Sequence, residues 1–383
     1  MGSQISQLNK KAKSKCKSAS SSSGIRAVSS SIIPGSSRRS IPAYLLPTKH
    51  DEKSILELRK RADHELMKKK LQRRGRDTEP EEERHKDSSG LKFREGRSYV
   101  EGQAYLFPID EEDAIRLVHE YYTFRAILGC NFFAPIEERL RNGCKVLDVG
   151  CGPGLWLLDM AKEYPSSEFV GIDVHSLMFP KEIPPNCRFE VVDVLKPLPY
   201  ADEEFHFVHQ RNMMTAVPKE NWQNVVKELA RVTEVSGWLQ LIEGDMGMEP
   251  IGPVTEQLLF KVCHAIMARG LDPHVGRSID RLLSNCSTDA LEFFCLSVPA
   301  SDWGREVGQL LKQDVQMILA TWRPWLAHVM GMEEAEYDNM ASKFILELNE
   351  YRTTLSIYVA YARKTAPDST APVPAESQEL ARE

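Results

Sequence analysis

No stretch of the 383-residue chain approaches the ~20 consecutive apolar residues that a bilayer crossing needs, and no apolar block near its start resembles a secretory signal core. Cysteine is sparse and scattered. The eight residues at 16, 130, 144, 151, 187, 263, 286 and 295 lie singly, without the close pairs of a zinc or dithiol motif. Free thiols in a reducing compartment are therefore expected, with no metal. Acids are missing from the first 50 positions, which hold nine Lys or Arg, so a chain of formal charge −6 carries −15 beyond them. An acidic folded part argues against a phosphate-tracking surface and direct nucleic-acid binding, and leaves a small molecule or a basic protein as substrate.

What is present is the balance of a soluble globular protein, 42% hydrophobic and 27% charged. A cytoplasmic residence follows, with the nucleus open. The amino-terminal tail has three readings. Met1-Gly2-Ser3-Gln4-Ile5-Ser6 fits N-myristoylation at Gly2, and Lys10, Lys11, Lys13, Lys15 and Lys17 would supply the second signal for membrane tethering. A disordered Ser/Lys-rich tail and an organellar transit peptide are the others. Residues 1–50 are taken as this tail, 51–95 as a charged helix and linker, and 366–383 as a second disordered tail.

The informative stretch is Val146-Leu-Asp-Val-Gly-Cys-Gly-Pro-Gly154. Lys145 to Val149 reads as a buried strand, Leu155 to Glu163 as a helix, and glycines 150, 152 and 154 as the tight turn between them. Such a turn at a helix start suits an anionic or polar cofactor group. Further strands are expected at 168–174, 188–193, 205–210, 237–243, 291–298 and 353–362. Helices are expected at 219–231, 254–268, 306–330 and 333–350, after one or two helices between residues 110 and 140. The alternation predicts an α/β fold with a doubly wound, mostly parallel, Rossmann-like sheet of seven strands and helical insertions near the carboxyl-terminal strands, at about 250–285 and 304–350.

Three acids refine the cofactor. Asp173 ends the second of these strands and suits a ribose diol, while Asp193 ends the third and suits an adenine amino group. Asp148 sits beside the turn, where it would repel a dinucleotide pyrophosphate but accept a cationic sulfonium amino acid.

With Phe169-Val-Gly-Ile-Asp173 and Val192-Asp193, the turn resembles the cofactor motifs of class I S-adenosylmethionine-dependent methyltransferases. Phe205 to Arg211, Asn221-Trp222, Gly237 to Glu243, Gly96 to Tyr99 and Tyr105 to Glu112 resemble its fungal branch that includes nuclear regulators of secondary metabolism. The likeness spans 96–365. It implies S-adenosylmethionine as cofactor, with Gly150, Gly152 and Gly154 framing the methionine portion, Asp148 orienting its ammonium, Asp173 and Val174 at the ribose, and Asp193 with Val194 at the adenine. Gln210 and Arg211 would line the floor near the reactive methyl, and His209, Gln210 and Arg211 are the catalytic candidates. Ser236-Gly237 in place of a Pro-Gly-Gly turn, and His206 where the fold commonly has an acid, depart from the pattern.

His119, Tyr121 and Tyr122 are either a cover for the cofactor or packing residues, and His264, His274 and His328 have no motif around them. Trp303, Trp322, Trp325, Met330 and Met332 suit a core better than an acceptor pocket. The expected activity is transfer of a methyl group to a small-molecule or protein acceptor. The alternative is a regulatory protein that binds the cofactor and acts through partners. Neither the acceptor nor the oligomeric state is set by the sequence.

Overall fold

The structure, a computed structural model, describes residues 91–94, 97–100 and 104–366. Gly2 and its basic run, residues 51–90 of the expected charged helix and linker, and the tail from 367 lie outside the described residues.

A short hairpin, β1 (Leu91–Arg94) and β2 (Arg97–Val100), precedes helix α1 (Glu111–Leu128). Asp110 caps α1 through the Asp113 amide at 3.0 Å and accepts from Arg97 Nη2 at 2.9 Å, which ties the hairpin to the helix. Gly129, at φ 70°, ends the helix in the left-handed region that a side chain disfavours. After α2 (Glu137–Asn142) the chain enters the sheet through β3 (Lys145–Val149), whose Val146, Leu147 and Val149 are fully buried. The expected acid at position 206 is replaced with a structural purpose, because His206 Nδ1 accepts the Lys145 amide at 3.0 Å and anchors the start of β3.

Next come α3 (Leu155–Glu163), β4 (Glu168–Asp173), β5 (Cys187–Val191), β6 (Phe205–Arg211), α4 (Trp222–Val232) and β7 (Thr233–Glu249). Then follow α5 (Pro253–Met267), α6 (Ile279–Ser284), β8 (Thr288–Pro299), α7 (Arg305–Met330), α8 (Glu334–Glu350) and β9 (Thr354–Lys364). The sheet has seven strands in the order β5-β4-β3-β6-β7-β9-β8. β3 to β7 run parallel, and β9 runs antiparallel between β7 and β8. The order reverses beside β3, so the carboxyl ends of β3 and β6 flank the crevice where such sheets take ligands.

Two features differ from the expected alternation. No helix joins β4 to β5 or β5 to β6, and the first of these crossovers carries Pro180, Pro184 and Pro185, which oppose a continuous helix. β5 is consequently only half covered, and Val191 stands 59% exposed. β5 also stops at Val191, so Asp193 lies in the following loop rather than at the strand end.

The carboxyl-terminal helices build a separate apolar mass. Leu258, Val262 and Ile266 of α5, Leu310, Trp322 and Leu326 of α7, and Phe344 and Leu348 of α8 share one core with Ile242, Ile357 and Val359 of the sheet. Glu347 of α8 accepts the Val254 and Thr255 amides at 3.1 and 2.7 Å, so a carboxylate from one helix caps the amino terminus of another. Burial raises its pKa, but the Thr255 and Val254 amides and the Thr255 hydroxyl outweigh that and hold it below the usual range.

Candidate functional site

The glycine turn needs its glycines. Gly150, Gly152 and Gly154 have φ of 66°, 50° and 70°, a region that L side chains rarely enter. A Cβ on Gly150 would fall 2.2 Å from Met213 Sδ, and one on Gly154 would fall 2.4 Å from Phe189 Cε1. The turn is therefore clamped between the loop after β6 and the side chains of β5. Its third support is Asp173, whose Oδ2 accepts the Gly152 amide at 2.9 Å.

Above the turn lies a cavity of about 150 Å³. Asp148, Gly150 and Gly152 line it from β3 and its turn, Asp173 and Val174 from the end of β4, and Asp193 and Val194 from the loop after β5. His209 and Arg211 enter from β6. Gly154 is not among the lining residues and instead starts α3 against Phe189. Gln210 does not reach the cavity either. Successive strand residues point to opposite faces, and Gln210 turns away from its neighbours to place Nε2 3.5 Å from Glu243 Oε1. The expected floor residue is thus a buried structural one.

Glu243, at the carboxyl side of β7, accepts the Met213 and Met214 amides at 2.9 and 3.0 Å and so fixes the loop that presses on Gly150. Burial pushes its pKa up to about 7 against those hydrogen bonds. Asp148 is buried more decisively. Desolvation pushes its pKa up to about 8, opposed by Arg211 and assisted by Asp173. Burial wins over the attraction of the neighbouring cation, so the carboxyl is mostly protonated at pH 7 until a cation joins it. Burial also raises the pKa of Asp173, against hydrogen bonds from the Gly152, His175 and Val174 amides.

His209 stacks on Trp156 with ring centroids 4.1 Å apart. Burial, with Arg211 adding to it, depresses its pKa well below the ordinary histidine value, so the ring is neutral and a weak proton acceptor.

Residues singled out elsewhere separate clearly. Tyr121 of α1 lines the cavity and donates its hydroxyl to Asp159 at 2.5 Å. Tyr122 meets Tyr121 edge-on at 5.1 Å, while His119 is buried towards α7, 3.3 Å from Gln313 Oε1 and 3.6 Å from Asp314. His264 and His328 lie at the surface, His264 against Phe260. His274 Nδ1 sits 2.7 Å from the buried Asp245 carboxylate. Trp322 and Trp325 pack in the carboxyl-terminal core with Phe107, as core residues and not cavity walls.

Several lining residues have no counterpart in the sequence reading. Leu117 and Glu120 come from α1, and with Tyr121 they follow the i, i+3, i+4 spacing of one helical face. Asn212, at φ 59°, donates to Glu120 at 2.7 Å and links β6 to that helix across the cavity. His175, Met178 and Met213 complete the rim.

Residues 146–237 match a methyltransferase domain family. The secondary metabolism regulator LAE1 of Cochliobolus heterostrophus is 32% identical over 146 residues, 37% of this chain and 46% of that protein. The methyltransferase str2 of Strobilurus tenacellus is 23% identical over 272 residues, 68% of this chain and 96% of that protein. Among solved structures, Haemonchus contortus phosphoethanolamine N-methyltransferase 2, in complex with S-adenosyl-L-methionine, has a TM-score of 0.41 at 15% identity, over 66% of this chain and 57% of that one. The chain thus spans less than half of the regulator and nearly all of the methyltransferase. Taken with the glycine turn and its acids, the domain match and the fungal relatives show a methyltransferase domain of the S-adenosylmethionine-dependent kind, similar to that of the LaeA-like fungal proteins.

Proposed function

We propose that the chain passes the sulfonium methyl of S-adenosylmethionine to a small-molecule or protein acceptor at the mouth of this cavity. The observation that carries the reading is the convergence of acids from three successive β-strand exits, Asp148, Asp173 and Asp193, on one cavity beside a positive-φ glycine turn. Their chemistry fits the donor, which presents an ammonium, a ribose diol and an adenine amino group, all hydrogen-bond donors. Asp148 receives the ammonium and Asp173 the ribose hydroxyls. Asp193 and the Val194 backbone receive the adenine.

Bound there, the donor supplies a methyl group that is already electrophilic. The protein's own task is to orient and to exclude water. Leu117, Glu120 and Tyr121 of α1 line the cavity, as do Tyr105 and Ile109 ahead of the helix. No dedicated base is required for an acceptor that arrives as a nucleophile, which agrees with the neutral, stacked state of His209.

A second reading is a regulatory protein that binds the donor and works mainly through partners. The identity to LAE1 over 146 residues favours it. Incubation with methyl-labelled S-adenosylmethionine and cell extract decides between them. Label on a discrete small molecule or protein supports the enzyme, whereas tight donor binding with no transfer in any extract supports the regulator. Acylation of Gly2 would add a membrane address to either. Mass spectrometry of the native amino-terminal peptide reads it, and an unmodified Gly2 on membrane-free protein removes it.

A further inference from the structure

The donor contacts proposed above come from the exits of β3, β4 and β5. A further part of the cavity wall belongs to other elements: Leu117 and Glu120 of α1, Ile109 ahead of that helix, and Asn212, Met213 and Ala216 after β6. Within that group Glu120 carries the one charge.

That charge is only partly answered by the protein. Arg116 reaches Glu120 through Nη1 at 2.5 Å, but the same guanidinium gives Nε and Nη2 to the fully buried Asp113 at 2.6 and 3.3 Å. Two carboxylates therefore share one cation. The second partner of Glu120 is neutral, Asn212 Nδ2 donating to Oε1 at 2.7 Å. Arg211 lines the cavity too, yet its guanidinium carbon lies 5.6 and 5.3 Å from the ring centroids of Tyr121 and Phe124, and no ion pair joins it to Glu120 among the described residues. The Glu120 side chain is 16% exposed, so water compensates little of the remainder. Arg116 and Asn212 occupy two of about four acceptor positions on the carboxylate and leave the others for a ligand. A mostly desolvated negative charge held in that way favours a ligand that brings positive charge.

We propose that the methyl acceptor is an amine, held by Glu120 with its nitrogen facing the sulfonium methyl. The inference rests on S-adenosylmethionine being the donor and names the acceptor class for that same cavity. The nitrogen lone pair forms the new N–C bond as the S–C bond breaks. The electron pair of the broken bond stays on sulfur, which becomes a neutral thioether, and the positive charge passes to nitrogen. An amine that enters protonated first gives one proton to solvent. The charge that develops on nitrogen thus appears beside Glu120, which stabilises it in the transition state. Other acceptors fit less well. A carboxylate would meet like charge, and a hydroxyl would need a strong base, which a carboxylate paired with Arg116 is not. Ile109, Leu117, Met213 and Ala216 offer apolar contact to the rest of the amine.

The test is incubation of the full chain with methyl-labelled S-adenosylmethionine and cell extract, followed by mass spectrometry that locates the labelled methyl in each product. Label on nitrogen is expected, in acid-soluble material for a small amine and in acid-precipitable material for a protein side chain. Label confined to oxygen or carbon overturns the proposal. Glu120→Gln keeps the size of the side chain and leaves Arg116 with Asp113. It should lower transfer by roughly 10- to 100-fold, the loss of a charge-assisted contact, while donor affinity in calorimetry stays within about twofold. Undiminished transfer in that variant overturns the proposal, as does a fall in donor affinity equal to the fall in transfer, which would set Glu120 against the donor instead. Should Glu120→Gln fail to melt cooperatively, the position of the methyl in the wild-type product decides alone. Donor binding with no transfer in any extract is a different result, which removes the enzymatic reading and the acceptor with it.

Discussion

The two halves of the sheet are built for different work. On one side, β3, β4 and β6 end in a polar crevice where four carboxyl groups and one guanidinium face a cavity, and two of the crossovers carry no helix at all. On the other, β7, β9 and β8 lie under α5, α7 and α8, and what they enclose is apolar and nearly complete. The first half holds a buried carboxyl shifted towards neutrality, a feature that costs stability and makes sense only in the presence of a ligand. The second half repays that cost through packing. Stability and ligand chemistry are thus divided between regions, and a substitution should disturb one with little effect on the other.

The strongest test of that division is in the packed half. Phe344 of α8 is 2% exposed within the carboxyl-terminal core. Phe344→Ala should cost about 3–5 kcal/mol in chemical denaturation, the usual range for emptying such a site. Donor affinity of the protein that remains folded should stay within about twofold, a shift smaller than 0.5 kcal/mol. A loss of affinity comparable to the loss of stability would show the two halves to be one cooperative unit.

The polar half should respond in the opposite way. Asp173→Ala removes the acceptor of the Gly152 amide together with the proposed ribose contacts. Donor binding is expected to weaken by about 100-fold, the worth of one or two charge-assisted hydrogen bonds. Unchanged affinity in calorimetry would remove the ribose assignment. The melting temperature should move little, because the same variant relieves a carboxyl that burial disfavours.

This contrast also explains what the sequence could disclose. The glycine turn and its acids were legible because their spacing is local, and the seven strands were legible from alternation and β-branched runs. His209, Gln210 and Arg211 were grouped as neighbours, although a strand sends adjacent residues to opposite faces; pleat parity counted from Asp148 would have separated Gln210. Glu120 and Leu117 were hidden because a helix contributes to a cavity only through the face that tertiary packing selects. The missing crossover helices had a signal in prolines, three before β5 and two, Pro197 and Pro199, before β6. The acceptor was not legible in either half, since an apolar wall looks the same in sequence whether it packs a core or receives a substrate.

The smallest predicted effect concerns protons, and its sign follows from the same division. In the ligand-free cavity burial pushes Asp148 up to about 8, so between its ordinary carboxylate value and pH 8 the folded chain binds a proton that the unfolded chain has released. Folding stability from this group is therefore greatest at low pH and falls as pH rises through that window. Donor binding runs the other way. A bound ammonium favours the ionised carboxylate, so binding below pH 8 expels the proton and tightens with rising pH by up to about tenfold per unit, or 1.4 kcal/mol. Calorimetry in buffers of different ionisation enthalpy should count nearly one proton released at pH 6.5, and Asp148→Asn should abolish that release while keeping the shape of the site. Any slope left in Asp148→Asn belongs to the ligand's own amino group or to Glu243, whose pKa near 7 lies in the same window but whose hydrogen bonds go to the Met213 and Met214 amides rather than into the cavity. Equal proton release in wild type and Asp148→Asn would place the ammonium elsewhere in the crevice and leave Asp148 as a cost of the fold with no ligand to offset it.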